Sequence, residues 1–246
     1  MKKLPPQSIH AWMRYAAIQR LLGRISPRTV LEIGVGQGSV GVMLARQFDD
    51  YVGIDLDDRT IGTARERFRR HGLDDTPLLH GGLEQVSARQ FDLVCAFEVL
   101  EHFEDDQAAL REWSSFLVGG GAVLMSVPAG PGRFGKADEK AGHFRRYSRS
   151  SIERVLGSAG FTDVHVLNYG YPAGYALERV RNVLARRELR KGLTYEQRTL
   201  ASGRWLQPPD GMSALTRAIA IPLGAIQRPF MESNRGTGLV ALATRL

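Results

Sequence analysis

Three glycines follow a short apolar run in the stretch VLEIGVGQGSV, residues 30–40. Because Gly34, Gly36 and Gly38 lack a Cβ atom, the backbone there can turn tightly and approach a bound molecule closely. A glycine-rich turn between a strand and a helix is typical of nucleotide-cofactor sites. The spacing is G-x-G-x-G, whereas dinucleotide sites use G-x-G-x-x-G, and Ser39 stands where their third glycine would be. The motif alone predicts a cofactor turn and leaves the cofactor open.

Two carboxylates accompany this turn. Glu32 lies two residues before Gly34 in an otherwise apolar run, where it either supports a cationic amino-acid group of a ligand or hydrogen-bonds to a neighbouring loop. Asp55 ends the next apolar run, at a position from which a carboxylate accepts hydrogen bonds from ribose hydroxyls. NAD and a methyl-donor nucleoside share that ribose, so Asp55 indicates a nucleoside without choosing between them.

A second group of titratable residues lies in the stretch FEVLEHF, residues 97–103. Glu98, Glu101 and His102 are three and four positions apart, so on a helical turn they would share one face. Carboxylates and imidazoles bind metals as well as protons. We expect no metal here, and we interpret His102 as a structural or cofactor-contacting residue that is also a catalytic candidate.

The stretch GHFRRYS supplies a further catalytic candidate. It overlaps the end of a glycine- and charge-rich segment, residues 128–143, which predicts a mobile loop over the cofactor. His143 is the best candidate for a general base, because an unperturbed imidazole titrates near neutrality. Arg145, Arg146 and Tyr147 are candidates for binding an anionic or hydroxylated acceptor. For Arg146 and Tyr147 the alternative is that they fasten the loop to the rest of the protein.

These residues need a scaffold in which strands and helices alternate. Hydrophobic patterning predicts an N-terminal helix that ends at Gly23, and a helix after the glycine turn with Ser39 as its N-cap. Alternation of this kind predicts parallel strands with helices on both faces. The predicted strands are residues 29–34, 51–55, 77–81, 91–97, 121–128 and 162–169, and the predicted helices are residues 8–23, 39–48, 58–71, 103–117 and 148–161.

After residue 169 the alternation stops, and helices and turns interrupted by proline follow. A strand-like apolar run returns only in GTGLVALATRL. A last strand that comes after a long excursion implies an insertion on the sheet rather than a separate domain. We therefore divide the chain into an N-terminal helical segment (1–27), a core (28–169), a helical lid insertion (170–235) and the final strand of the core (236–246).

The first helix of the insertion is amphipathic. Its apolar residues fall near one face, and most of its arginines fall on others. The pattern predicts a lid that packs on the core through its apolar face, with arginines that are either solvated or in contact with an anionic partner. The apolar residues in question are Ala176, Val180, Val183, Leu184 and Leu189.

The net charge of +7 is concentrated in one stretch, because residues 179–204 hold eight basic residues against two acids. With the apolar run at 214–230, this favours a phosphorylated or lipid-linked acceptor or an acidic membrane surface. The single cysteine, Cys95, excludes an internal disulfide, and the N-terminal region lacks the apolar segment of a signal peptide. We expect a cytoplasmic protein with peripheral contact at an anionic membrane.

Three motifs, in order, resemble those of the class I S-adenosylmethionine-dependent methyltransferases: VLEIGVGQGSVG, VGIDLD and FDLVCAFEVLEH. The resemblance covers about residues 28–170, and the terminal GTGLVALATRL is similar to the seventh, antiparallel strand of that family. It implies an α/β fold with a doubly wound, Rossmann-like, seven-stranded and mostly parallel sheet whose last strand is antiparallel. It also implies S-adenosylmethionine as the cofactor.

The resemblance implies roles for individual residues on the cofactor side. Gly34, Gly36 and Gly38 would approach the methionine part of S-adenosylmethionine. Asp55 would hold the ribose, and Leu56 would pack on the adenine.

The same resemblance implies roles for residues in two further segments. Phe97 and Glu98 would lie beside the sulfonium and the amino-acid end of the cofactor. In the stretch LLHGGLEQV the sequence departs from the family, since Gly82 stands where an adenine-binding acid is usual, and Leu83 is left to offer a backbone N–H and an apolar wall. A string similar to E-x-x-E-H is associated with a divalent metal in ubiquinone-pathway catechol methyltransferases, whereas many relatives with this string use none.

The sequence thus predicts a methyltransferase that acts on a small-molecule or lipid-linked acceptor entering under the lid. RNA is the alternative acceptor, but the chain lacks a basic motif interleaved with aromatic residues, so we expect neither DNA nor RNA as a partner. An NAD-dependent oxidoreductase and a non-catalytic interaction module are the alternatives from other classes. The identity of the acceptor and the atom that is methylated stay open.

Overall fold

A seven-stranded sheet forms the centre of the computed structural model, which describes residues 5, 7–189 and 213–246. The strands are β1 (Thr29–Ile33), β2 (Asp50–Asp55), β3 (Leu78–His80), β4 (Phe91–Phe97), β5 (Leu117–Pro128), β6 (Phe161–Tyr169) and β7 (Gly238–Arg245). They lie in the order β3-β2-β1-β4-β5-β7-β6. Strand β7 is antiparallel to β5 and β6, and the other pairs are parallel. The predicted fold class is confirmed.

Helices cover both faces of the sheet, because successive strand residues point to opposite sides. Val30 and Leu93 belong to a buried cluster with residues of the first and third helices, whereas Leu31 and Val94 belong to a second cluster with residues of the fourth and sixth. The described helices are α1 (Ile9–Leu22), α2 (Gly41–Leu44), α3 (Asp58–Arg70), α4 (Asp106–Ser115), α5 (Lys136–Ala141), α6 (Arg149–Ser158), α7 (Ala173–Leu189) and α8 (Ser213–Gln227).

The strand order reverses between β1 and β4, which is where open α/β sheets bind ligands. The three-glycine turn leaves β1, Asp55 ends β2, and Glu98 directly follows β4. Since parallel strands end at the same edge of a sheet, residues that are far apart in sequence meet there. The topology therefore places the motif residues at one crevice.

The prediction that Ser39 caps the helix after the glycine turn is wrong. Helix α2 is a single short turn whose N-cap is Val40, without a side-chain hydrogen bond. The Ser39 hydroxyl instead accepts a hydrogen bond from Arg67 Nη1, at 2.6 Å. Because the buried Arg67 of α3 needs a hydrogen-bond acceptor, the Ser39 hydroxyl pairs with it and does not cap α2.

The two described helices of the insertion pack on different parts of the molecule. Helix α7 packs against α5, and α8 packs against α1. The helices they touch are the ones that flank the crevice from two sides, as the contacts of Arg14 and Asp138 show below. Among the described residues, no helix is both long and apolar enough to cross a membrane.

Helix α7 has the opposite orientation to the one its pattern predicts. Val180 and Val183 are 57% and 52% exposed, so the prediction that the apolar face packs inward is wrong for them. The inward side instead carries Glu178, Asn182 and the buried Ala185. The reason is electrostatic, because buried polar groups of the core need partners that only a polar helix face can supply.

Part of the basic stretch lies outside the described residues. Arg190, Lys191, Arg198 and Arg204 fall within residues 190–212, and of Arg187 and Leu189 only the backbone is described. Arg179 and Arg186 are described and exposed.

Candidate active site at the carboxyl ends of β1, β2 and β4

The three glycines of the turn have different surroundings. A Cβ at Gly34 would lie 2.7 Å from Val99 Cγ2, and one at Gly38 would lie 2.9 Å from Phe68 Cε2. Gly38 thus allows α3 to pack closely, which is the role of the third glycine in G-x-G-x-x-G turns. A Cβ at Gly36, which has a φ of +54°, would meet nothing nearer than 4.0 Å. Gly36 is the glycine whose surroundings leave most room for a ligand.

Asp55 fixes this turn to the end of β2. Its Oδ2 accepts from the Gly36 amide at 2.8 Å, and its Oδ1 accepts from the Asp57 amide at 2.9 Å. Partial burial raises the pKa of Asp55, although these two hydrogen bonds act in the opposite direction. Each oxygen keeps a second lone pair for a ligand hydroxyl. Leu56, the next residue, is 69% exposed, so its apolar side chain is accessible to a ligand at this edge of the sheet.

In the segment after β3, the side chain of Leu83 does not form the exposed apolar wall that the sequence predicts. The Leu83 side chain is buried in the core, so its apolar surface is already covered by protein. The exposed Glu84 accepts a hydrogen bond from the Gly82 amide at 2.7 Å, and that bond lowers the pKa of Glu84. Glu84 is not among the predicted site residues, although its place two residues after Gly82 could have identified it as an acid at this segment.

Glu32 is buried, and it accepts a hydrogen bond from the Tyr51 hydroxyl at 2.5 Å. A Cβ at Gly41 would lie 3.1 Å from Glu32 Oε2, so the start of α2 lies against this carboxyl. Burial raises the pKa of Glu32 to about 8, although the Tyr51 hydrogen bond and the charge of Arg14 act in the opposite direction. The geometry shows a hydrogen-bonded structural carboxyl, and a role of Glu32 toward a ligand stays a prediction.

Glu98 occupies the left-handed region, with a φ of +59°, directly after the buried Phe97. Its Oε1 accepts from Ser126 Oγ at 2.9 Å and from the Tyr169 hydroxyl at 3.1 Å, and Arg14 Nη1 lies 3.5 Å away. Burial alone would raise the pKa of Glu98, but Arg14 and the Ser126 hydrogen bond hold it below its usual value. The site therefore presents an ionised carboxylate at the end of β4.

Helix α1 contributes two residues that the sequence analysis does not single out. Arg14 is mostly buried, and its Nε has no hydrogen-bond partner among the described residues. His10 contacts Thr237 Oγ1 at 2.9 Å and lies against the Tyr169 ring. Burial, followed by the charge of Arg181, lowers the pKa of His10 to about 3, so this ring is neutral at physiological pH. Their i, i+4 spacing on one helix face is the only signal in the sequence.

Glu101, His102 and His143 form a compact cluster beside Glu98. Glu101 is fully buried, and neither of its oxygens has a hydrogen-bond partner of ordinary geometry among the described residues. His143 Nε2 lies 3.8 Å from Glu101 Oε1, and the two imidazole rings meet edge to face at 4.8 Å. His102 Nδ1 is 3.2 Å from the carbonyl oxygen of Gly142. The structure thus brings together the two histidines that the sequence nominates.

Burial shifts the pKa values of Glu101 and His102. It raises the pKa of Glu101 well above the usual value, and the charge of Glu98 raises it further. Burial and then His143 lower the pKa of His102 to about 4. The ligand atoms of Glu101, His102 and His143 all lie within 4.8 Å of one another, a spacing that suits a divalent ion. The expectation that no metal binds here therefore stays a prediction from the sequence.

The residues after His143 fasten the loop to the protein. Tyr147 donates to Asp106 Oδ2 at 2.9 Å, and Arg145 Nη1 lies 3.1 Å from the same oxygen. Arg146 is buried, and it donates from Nε and Nη2 to the two oxygens of Asp138 at 2.8 Å each. Of the two interpretations left open for Arg146 and Tyr147, these contacts favour loop anchoring over direct acceptor binding, and Arg145 is engaged by Asp106 in the same way.

Comparison with known proteins adds independent information. A protein family described as "Methyltransferase domain" matches residues 9–166 of this chain. A "Probable S-adenosylmethionine-dependent methyltransferase" of Mycolicibacterium smegmatis is 30% identical over 173 residues, which are 67% of this chain and 65% of that protein. The ubiquinone biosynthesis O-methyltransferase of Bordetella avium is 32% identical over 123 residues, which are 47% of this chain and 48% of that protein. The chain therefore spans less than two thirds of the length of these relatives.

Solved structures give the same fold. A SAM-dependent methyltransferase of Thermotoga maritima superposes with a TM-score of 0.59 at 16% sequence identity, covering 97% of this chain and 91% of that one. At this identity the likeness concerns the fold, which extends over almost the whole chain.

Glu32 gives a test of the electrostatics of the site through stability. Because its pKa rises from 4.5 to about 8 on folding, the stability it contributes is fully present below the unfolded value and is lost as the pH rises through 8. We expect Glu32→Gln to remove this loss, so that its melting temperature relative to the wild type is higher at about pH 8.5 than at about pH 5. Thermal unfolding of both proteins across this range is the measurement, and an unchanged difference would contradict the burial argument.

Proposed function

Because this chain belongs to the class I S-adenosylmethionine-dependent methyltransferases, we propose that it transfers the methyl group of S-adenosylmethionine to a small-molecule or lipid-linked acceptor. One observation carries the proposal: the clamp of Gly36 and Asp55 and the ionised Glu98 share one edge of the sheet with a buried cluster that contains His143. Bound S-adenosylmethionine supplies the electrophilic methyl group. The protein has to orient the partners, exclude water and accept a proton.

On the cofactor side, the contacts support distinct roles for four residues. Asp55 accepts hydrogen bonds from the ribose hydroxyls, and the exposed Leu56 packs on the adenine. Glu98 lies at the amino-acid end, where its carboxylate attracts the α-ammonium group. Arg14 reaches the same place from α1, and its unsatisfied Nε and its long contact with Glu98 leave it able to bind the α-carboxylate.

Truncated ligands separate these roles. S-adenosylhomocysteine and 5′-methylthioadenosine both carry the adenine and the ribose, whereas only S-adenosylhomocysteine carries the amino-acid end. We expect Arg14→Ala to weaken binding of S-adenosylhomocysteine by roughly 10-fold to 100-fold and to leave 5′-methylthioadenosine unaffected, since only the former has a carboxylate to lose. Asp55→Ala should weaken both ligands by roughly 1.5–3 kcal/mol, because both carry the ribose.

The affinities of the two ligands and of NAD are measured by calorimetry on the wild type and on both variants. S-adenosylhomocysteine should raise the melting temperature of the wild type, and NAD should not. Stabilisation by NAD alone would refute the cofactor and with it the proposed reaction. An equal loss of both ligands in Arg14→Ala would instead place Arg14 in the scaffold and leave the reaction standing.

His143 is the base that the geometry favours. Its Nδ1 lies 3.0 Å from Asp138 Oδ1, so the ring donates there and keeps Nε2 free to accept a proton. In the reaction Nε2 would accept the proton of the acceptor oxygen or nitrogen, and that atom would take the methyl group that S-adenosylmethionine supplies, with S-adenosylhomocysteine as the other product. His102 touches the His143 ring edge to face and supports its position.

We expect His143→Ala to lower turnover by about 10²-fold or more, because a general base contributes in this range, while cofactor affinity changes by only a few fold. Single-turnover methylation of a pool of candidate acceptors, together with calorimetry, separates the two effects. His165→Ala is a matched control, since His165 is a histidine of β6 whose side chain contacts Arg24 and Asp163. Unchanged turnover in His143→Ala would show that His143 is not the general base. If a chelator abolished the turnover of the wild type and Mg²⁺ restored it, the cluster of Glu101, His102 and His143 would be a metal site instead.

The acceptor class is supported by the outer surface of the insertion. Val180, Val183 and Leu184 are exposed on α7 beside the exposed Arg179 and Arg186. Helix α8 exposes Ile219, Ile221 and Ile226. Apolar side chains flanked by arginines are typical of surfaces that meet anionic lipid. One relative is named for ubiquinone biosynthesis, which supports an acceptor of lipid character for this chain as well.

Flotation with vesicles tests this surface. We expect the wild type to float with vesicles that contain phosphatidylserine at low salt, and less at moderate salt, because surface ion pairing is screened. A Val180→Ser/Val183→Ser variant should lose flotation at both salt concentrations, and Arg179→Ala/Arg186→Ala should lose mainly its salt-sensitive part. Leu246→Ser, at the exposed C-terminal residue, is the matched control. Equal flotation of all four proteins, or none, would exclude this surface and leave a soluble acceptor.

A further inference from the structure

A continuous series of charged side chains joins the insertion to the proposed base. His143 Nδ1 contacts Asp138 Oδ1 at 3.0 Å. Asp138 takes two hydrogen bonds of 2.8 Å from Arg146. Arg146 Nη1 in turn donates to Glu178 Oε1, on the inward side of α7. Asp138, Arg146 and Glu178, whose charges alternate, thus link His143 in the loop to α7.

This series is shielded from water. The side chains of His143, Asp138 and Arg146 are at most 8% exposed, and that of Glu178 is 11% exposed. Burial alone would raise the pKa of Asp138, but the hydrogen bonds from His143 and Arg146 lower it to about 2. Asp138 is therefore ionised at any physiological pH. A buried arginine between two carboxylates keeps its position only while both partners are present.

A second contact from the same side of α7 holds the helix that carries Asp138. Asn182, one turn after Glu178, accepts a hydrogen bond from the Ala137 amide at 2.9 Å. Gly135 makes the approach feasible, because a Cβ there would lie 2.7 Å from Asn182 Oδ1. Glu178 and Asn182 therefore hold Arg146 and the first turn of α5, the two neighbours that define the place of Asp138.

We propose that Glu178 and Asn182 are positioning residues for the reaction: through Arg146 and α5 they fix Asp138, which fixes His143 as the tautomer with its proton on Nδ1 and a free Nε2. The role of His143 rests on the proposed function, whereas the tautomer does not. The insertion then contributes to the reaction directly, because the polar inward side of α7 positions the base. This accounts for the orientation of α7, since turning Val180 and Val183 inward would remove Glu178 and Asn182 from these partners.

The tautomer provides a readout that a purely structural role would not move. Nitrogen-15 NMR of the histidine rings distinguishes a protonated Nδ1 from a protonated Nε2 in the free protein. We expect the wild type to show His143 protonated on Nδ1, and Asp138→Asn to lose this preference. Glu178→Gln, which keeps shape and removes charge, should shift His143 toward a mixture of tautomers, and Asn182→Ala should shift it in the same direction.

Turnover and cofactor affinity complete the test. Glu178→Gln and Asn182→Ala should each lower turnover by about 10-fold to 100-fold, the effect of a small misplacement of a reacting group, with affinity for S-adenosylhomocysteine unchanged. Glu139→Gln is the matched control, because it removes a carboxylate from the exposed side of α5. Circular dichroism confirms folding, and if Glu178→Gln fails to fold, Asn182→Ala carries the same test.

An unchanged His143 tautomer and unchanged turnover in folded Glu178→Gln or Asn182→Ala would overturn the proposal. Failure of the proposed function gives a different pattern. In that case the wild type binds no S-adenosylhomocysteine, yet the tautomer of His143 still reports on Glu178 and Asn182.

Discussion

Charge buried at the carboxyl edge of a sheet has to be paired, and this requirement shapes the whole site. Glu98 lies there, and Arg14, Ser126 and Tyr169 together keep it ionised. Glu101, one turn further and fully buried, receives no such partners from the described residues, and it is held in its protonated form by burial and by the charge of Glu98. Two neighbouring acids thus differ in charge because their surroundings differ, and the contrast gives one edge both an anionic and a neutral carboxyl group.

The need for partners explains why elements outside the core approach the crevice. Helix α1 comes from one side and supplies Arg14, and helix α7 comes from another and supplies Glu178 to the buried Arg146. Helix α1 also packs on the sheet through apolar residues such as Met13 and Ile18, so Arg14 is one of several contacts that hold it there. For α7, the pairing of Glu178 with Arg146 goes with an orientation that leaves Val180 and Val183 exposed.

The two halves of the crevice are constructed by different means. The proposed cofactor half is largely backbone, since Asp55 holds the amides of Gly36 and Asp57, and these groups come from adjacent strand ends. The proposed acceptor half consists of side chains from separate parts of the chain, with His143 and Glu101 42 positions apart in sequence. A backbone clamp suits a ligand common to a whole family, whereas a set of long-range side-chain contacts suits an acceptor particular to one member.

The sequence by itself determined the alternation of strands and helices in the core, the glycine turn and the acids at the strand ends, because hydrophobic period and turn chemistry are local properties of the chain. It also identified His102 and His143 as catalytic candidates, but it did not predict that their rings are in contact. It could not determine which interpretation of Glu32 or Arg146 holds, or that Arg14 reaches the site, because these depend on which groups are buried together. It assigned the wrong face of α7 to the interior for the same reason. Periodicity records which residues share a face, but only the tertiary structure decides whether the interior there needs apolar surface or a partner for a buried charge.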